Sequence, residues 1–127
     1  MNSIILMTPP SVSLTYFTDK LRENWRITTP MKERASIESK SSRAYLYLDN
    51  EFKEIIHEPE MCSESLVEQF DRAKSSIFYF LDYSDRQLAA EILQNTADDP
   101  AFIVEDAWGT VLPGHKFVEA IRNRGWP

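Results

Sequence analysis

The chain has 127 residues, with 14 Lys and Arg against 20 Asp and Glu, a formal net charge of −6. Hydrophobic residues at 43% and aromatics at 12% suffice for one core, so the composition is that of a single folded domain spanning 1–127 and not of a disordered chain. The acidic balance argues against free nucleic acid and against an anionic membrane surface as partners, and favours a basic one.

Cys62 stands alone, so no intrachain disulfide forms and an oxidising compartment gains no support. The start, Met1 to Met7, has no basic n-region and only four apolar residues in a row, too few for a signal peptide. No stretch nears the ~20 apolar residues of a spanning helix. The expected location is the cytoplasm.

In chain order, Ile4-Ile5-Leu6-Met7 reads as a short buried strand stopped by Pro9-Pro10. Ser11 or Ser13 can cap a helix carrying Leu14, Phe17, Leu21 and Trp25 at three- and four-residue spacing. Residues 26–43 are polar and aperiodic and read as a long loop, with at most a weak edge strand near Ser36-Ile37. Ala44 to Leu48 alternates aliphatics with tyrosines, the period of a strand with two unlike faces, and Phe52 to His57 reads as its hairpin return. Ser65 with Glu68 matches a capping box, opening a helix through Leu66, Phe70 and Ala73. Ile77 to Leu81 is the most apolar run and, without alternation, predicts a central strand buried on both faces with helices on each side. Ser84 with Gln87 matches a second capping box, ahead of the stripe Leu88, Ala89, Ile92 and Leu93. Phe102-Ile103-Val104 reads as a strand, and Trp108 to Leu112 continues it past a turn. Pro113-Gly114 starts a last helix with Phe117, Val118 and Ile121, closed by Gly125. Such alternation predicts an α/β fold, with α+β the other option: one domain, a mixed central sheet of about 4–5 strands and about 4 helices packed on it.

Chemistry-bearing motifs are weak. Gly109 to Lys116 echoes a phosphate-binding loop, but His115 stands where the lysine belongs, Lys116 where the hydroxyl belongs, and Pro113 removes an N–H. His57, Cys62 and His115 match no metal-ligand spacing, and no nucleophile–base pair is apparent. No catalytic, cofactor-binding or metal residue is assigned, and no cofactor is expected. An enzyme using His57 or His115 ranks behind the binding functions below. Tyr45 and Tyr47 share a strand face, suited to a core or a protein interface, and Trp25, Trp108 and Trp126 read as packing residues, Trp126 with a second option as a partner anchor.

Charge is distributed unevenly. Residues 1–48 hold seven bases against four acids, residues 49–106 fifteen acids against four bases (net −11), and residues 107–127 three bases against Glu119. Many acids in the middle segment read as solvated loop charges and helix-start charges; together they also suit a surface that steers a cationic partner.

Phe80-Leu81-Asp82-Tyr83-Ser84-Asp85, Ala97-Asp98-Asp99-Pro100 and Gly109-Thr110-Val111-Leu112-Pro113-Gly114 followed by Phe117 resemble stretches of small acidic bacterial immunity proteins. These belong to contact-dependent growth inhibition and related polymorphic toxin systems, and the resemblance covers roughly 40 positions. It implies a cytosolic, non-enzymatic protein that binds a cognate toxin domain and blocks its active site. Such families share no universal binding residues, so none is carried over. With the charge asymmetry, the expected partner is a basic toxin domain, a nuclease above all. The expected contacts are Asp49, Glu51, Glu54, Glu58 and Glu60 around the hairpin, with Glu105 and Asp106. The alternative is a non-enzymatic homodimeric module, paired through a strand edge or the Tyr45/Tyr47 face.

Overall fold

The computed structural model describes residues 2–31, 33–48, 77–106 and 110–126. Their elements are β1 (Asn2–Thr8), α1 (Leu14–Leu21), β2 (Arg26–Met31), β3 (Arg34–Glu38), β4 (Arg43–Leu48), β5 (Ile77–Tyr83), α2 (Arg86–Thr96), β6 (Ile103–Glu105), β7 (Val111–Pro113) and α3 (Gly114–Arg124). The seven strands form one sheet in the order β2-β3-β4-β5-β1-β6-β7, and every neighbouring pair is antiparallel. The fold is therefore α+β. No described helix is long and apolar enough to cross a membrane.

The three described helices pack on one sheet face. There Ile4, Leu6, Ile37, Leu46, Leu81 and Val104 meet Phe17 and Leu21 of α1, Leu88, Ile92 and Leu93 of α2, and Phe117 and Val118 of α3. Period-2 alternation in the strands and the 3–4 spacing in the helices aim these residues at each other. Aromatic edges key the layers together, with Phe17 4.9 Å from Tyr79 and Tyr16 5.8 Å from Phe102, ring centre to ring centre. Two tyrosine hydroxyls find carbonyls: Tyr79 donates to Val12 O at 3.1 Å and Tyr16 to Thr96 O at 2.9 Å. Burial, with a smaller push from Glu33, raises the Tyr79 phenol to about 12.

The opposite face, called the outer face below, holds a second buried cluster of Met7, Phe78, Ile103 and Val111, with Ile5 against it. Ile77 to Leu81 accordingly lies in the fourth of seven strands, with apolar residues buried on both sides.

Several expectations are corrected. Among the described residues the sheet has seven strands, not 4–5, and is antiparallel where a mixed one was expected, because β1 pairs with β5 and β6 on its two sides and no described connection makes a parallel crossover. Residues 26–43 are not a loop: β2 and β3 form a hairpin turned at Glu33, whose φ is +65°. The α2 N-cap is Asp85 and not Ser84; the Asp85 carboxylate accepts the Gln87 N–H at 2.9 Å. Trp126 packs inward, 5.7 Å from Tyr83 and 5.4 Å from Phe117, under the Arg86 guanidinium at 5.5 Å. Trp25 lies just past α1, its N–H bonded to Leu21 O. The expected hairpin return at Phe52 to His57 and the helix opened by Ser65 lie outside the described residues, as does Trp108.

The phosphate-loop echo resolves into a strand, a Pro-Gly step and a helix. A Cβ on Gly114 would stand 2.1 Å from Ala97 O and 2.8 Å from Asp99 O, so the space a phosphate would need is filled by protein backbone.

Candidate protein-binding face

The pairing registers align the outer-face residues in rows across the sheet. One row reads Thr28, Ser36, Tyr45, Asp82 and Ser3 over β2, β3, β4, β5 and β1, all polar. The next reads Arg34, Tyr47, Phe80, Ile5 and Glu105 over β3, β4, β5, β1 and β6. The row beyond, Phe78, Met7 and Ile103, belongs to the buried cluster. The outer face thus grades from apolar and buried to polar and half-exposed along the strands.

Aromatic and charged groups interlock on the half-exposed part. The Arg34 guanidinium lies over Tyr45 at 4.8 Å and Tyr47 at 5.8 Å, and Tyr47 stacks on Phe80 with centroids 5.6 Å apart. Glu38 pairs with Arg43 at 2.9 Å, and contact with Tyr45 and then the Glu38 charge raise the Arg43 guanidinium further above its usual range. Ser3 donates to the Asp82 carboxylate. The Ser36 hydroxyl, in a residue 4% exposed, has no hydrogen-bond partner.

Of the expected contacts, Asp49, Glu51, Glu54, Glu58 and Glu60 lie outside the described residues, as do His57 and Cys62. Glu105 is half-buried on the outer face beside Ile5 and opposite Val111. Burial first, and the neighbouring Asp106 charge second, raise its carboxyl above the usual range. It has no ion pair or hydrogen bond among the described residues. Asp106 is only 4% exposed: its carboxylate accepts the Thr110 N–H at 2.9 Å, and its own N–H donates to Thr110 O at 3.0 Å. It closes the approach to β7 and does not stand out as a surface charge.

Other acids of the middle segment are similarly occupied. Asp85 caps α2, Asp98 lies 3.4 Å from Arg122, Asp99 accepts the Ala101 N–H at 2.7 Å, and Glu91 accepts from Gln87. Among the described residues no group of His, Cys, Asp and Glu is placed to hold a metal ion. His115 sits in the first turn of α3 with a buried Nδ1 that has no hydrogen-bond partner.

Arg34 was invisible to the sequence argument because it fell in the segment read as loop. The signal was there: Arg34-Ala35-Ser36-Ile37-Glu38 alternates polar and apolar residues at the strand period. Comparison with family models, curated protein sequences and solved structures gives no match to this chain.

Proposed function

We propose that this chain is a non-enzymatic binding protein of the immunity type, which docks on a basic toxin domain, a nuclease above all, and blocks it. The observation that carries the proposal is Glu105. It holds a carboxylate on the outer face where burial and Asp106 both oppose its charge, and no described cation compensates it. A carboxylate whose charge both burial and a like neighbour oppose marks a candidate for a task outside the fold. A lysine or arginine brought by a partner supplies the missing counter-charge. The net −11 of residues 49–106 steers such a partner, and Tyr45, Tyr47 and Arg34 are the residue types that dominate binding energy at interfaces.

The test is capture of the tagged chain from its native host followed by mass spectrometry. The expected result is one stoichiometric basic domain, toxic when expressed alone and harmless when co-expressed with this chain. Glu105→Gln weakens that capture and lowers its salt sensitivity. Recovery of the chain alone, or of a domain whose toxicity persists on co-expression, overturns the proposal.

A second reading, a homodimer, draws on the β2 edge. Five of its six residues are exposed, Met31 to 64%, so an edge of backbone donors and acceptors is open to a second copy. Pro30 and the register break between Thr28 and Met31 work against it. A strict monomer by sedimentation at micromolar concentration eliminates it.

A further inference from the structure

The row that ends in the uncompensated Glu105 begins with an uncompensated charge of the other sign. Arg34 stands four strand spacings away, about 19 Å at the usual interstrand distance. Its guanidinium rests on Tyr45 and Tyr47 and has no ion pair or hydrogen bond among the described residues. Two described acids on this part of the face are engaged elsewhere: Glu38 with Arg43, and Asp82 with Ser3. Two residues along the same strand and on the same face, the Ser36 hydroxyl is buried without a partner. Among the described residues, no carboxylate on this face is paired with Arg34 or Ser36.

We propose that Arg34 and Ser36 form a carboxylate-binding site that receives an Asp or Glu side chain of a protein partner. A guanidinium laid on aromatic rings keeps its in-plane N–H donors for a planar, two-oxygen acceptor, and the rings hold it in place before the acceptor arrives. Glu38, Asp82 and Glu105 on the same face favour a singly charged carboxylate over a doubly charged phosphate. A partner that sets a base against Glu105 and an acid against Arg34 is held in one orientation across the row, so the two ends read its charge pattern. The identity of the occupant rests on the binding-protein function proposed above; the chemistry of the site does not.

The test uses the full chain and no partner. Sodium acetate and, separately, inorganic phosphate are titrated into the 15N-labelled protein at constant ionic strength, following the Arg34 and Arg124 Nε–Hε signals. Arg124 is exposed and serves as the reference. Arg34 is expected to saturate with acetate at a dissociation constant about fivefold or more below that of Arg124, with phosphate no tighter. Ser36→Ala is expected to weaken acetate about threefold, and Arg34→Lys to remove the preference. Equal responses from Arg34 and Arg124 overturn the site, tighter phosphate overturns its assignment to carboxylates, and an unchanged Ser36→Ala removes Ser36 from it. A failed capture of a basic domain leaves this titration standing, and a failed titration leaves the Glu105 argument standing.

Discussion

Gly114→Ala tests how tightly α3 is set against the turn after α2. The added Cβ would lie 2.1 Å from Ala97 O, 2.8 Å from Asp99 O and 3.1 Å from Phe102 Cβ. Carbon and oxygen need about 3 Å, so backbone must retreat by about 1 Å on one side or both. Neither side is free to do so. Ala97 N–H bonds Leu93 O at 2.8 Å, Asp99 N–H bonds Ala97 O at 2.8 Å, and Gly114 N–H itself bonds Phe102 O at 2.8 Å. Overpacking against backbone held on both sides costs about 3 kcal/mol, near the top of the usual range. In a domain of this size that lowers Tm by about 10–15 °C. Urea unfolding followed by circular dichroism measures it, with Gly125→Ala as the contrast. Gly125 has open space around it but a φ of +82°, so that variant costs about 1–2 kcal/mol through backbone strain alone. A Gly114→Ala protein within about 0.5 kcal/mol of the parent would falsify the argument that this contact is rigid.

Three further outcomes are expected. Tyr79 is held protonated to about 12 in the fold against about 10 unfolded, so its contribution is complete below pH 10 and is lost as pH rises through 12. Alkaline titration of stability should show that loss, about 2–3 kcal/mol in all, and Tyr79→Phe should flatten it. Glu33→Gly relieves the φ of +65° at the β2–β3 turn and should raise stability by about 0.5–1 kcal/mol in urea unfolding; a loss would show that the turn is not strained. Glu105 has a raised carboxyl, so the fold prefers it protonated and its ionisation is a cost at neutral pH. Glu105→Gln should therefore be more stable than the parent at pH 7, with the gain lost as pH falls through the raised carboxyl value toward 4.5, while partner capture weakens. A variant destabilised at pH 7 would remove the premise of the proposed function.

What was legible in the sequence was whatever a local rule could carry. Ile77 to Leu81 announced a central strand, because only double burial tolerates an unbroken apolar run. The stripes on α2 and α3 and the closure at Gly125 followed from spacing and from glycine's tolerance of positive φ. The N-cap slipped by one residue because Ser84 and Asp85 are both capping types, and only geometry chooses between them. β2 was hidden because an exposed edge strand has no buried face to print a pattern: its residues Arg26-Ile27-Thr28-Thr29-Pro30-Met31 carry a proline and few apolar side chains. Strand order was not legible at all, since nothing in Ile4 to Met7 says that it lies between β5 and β6. The candidate face suffered most, because Arg34, Tyr45 and Glu105 come onto one face through pairings of distant segments that no short window contains.

The place of β1 in the sheet also sets the order in which the protein can assemble. β1 precedes the other described strands and joins the two parts of the sheet: it pairs Asn2 with Tyr83 on one side and Met7 with Ile103 on the other. β2, β3 and β4 can form a meander among themselves as they leave the ribosome. The apolar Ile4 to Met7 has no edge to join until residue 83 has emerged, and its second partner comes only with residues 103–105. Such long-range closure is slow and leaves an aggregation-prone strand waiting for its partners. A bulky group fused before β1 therefore burdens these long-range pairing steps, whereas one fused after α3 follows strands that have all been made.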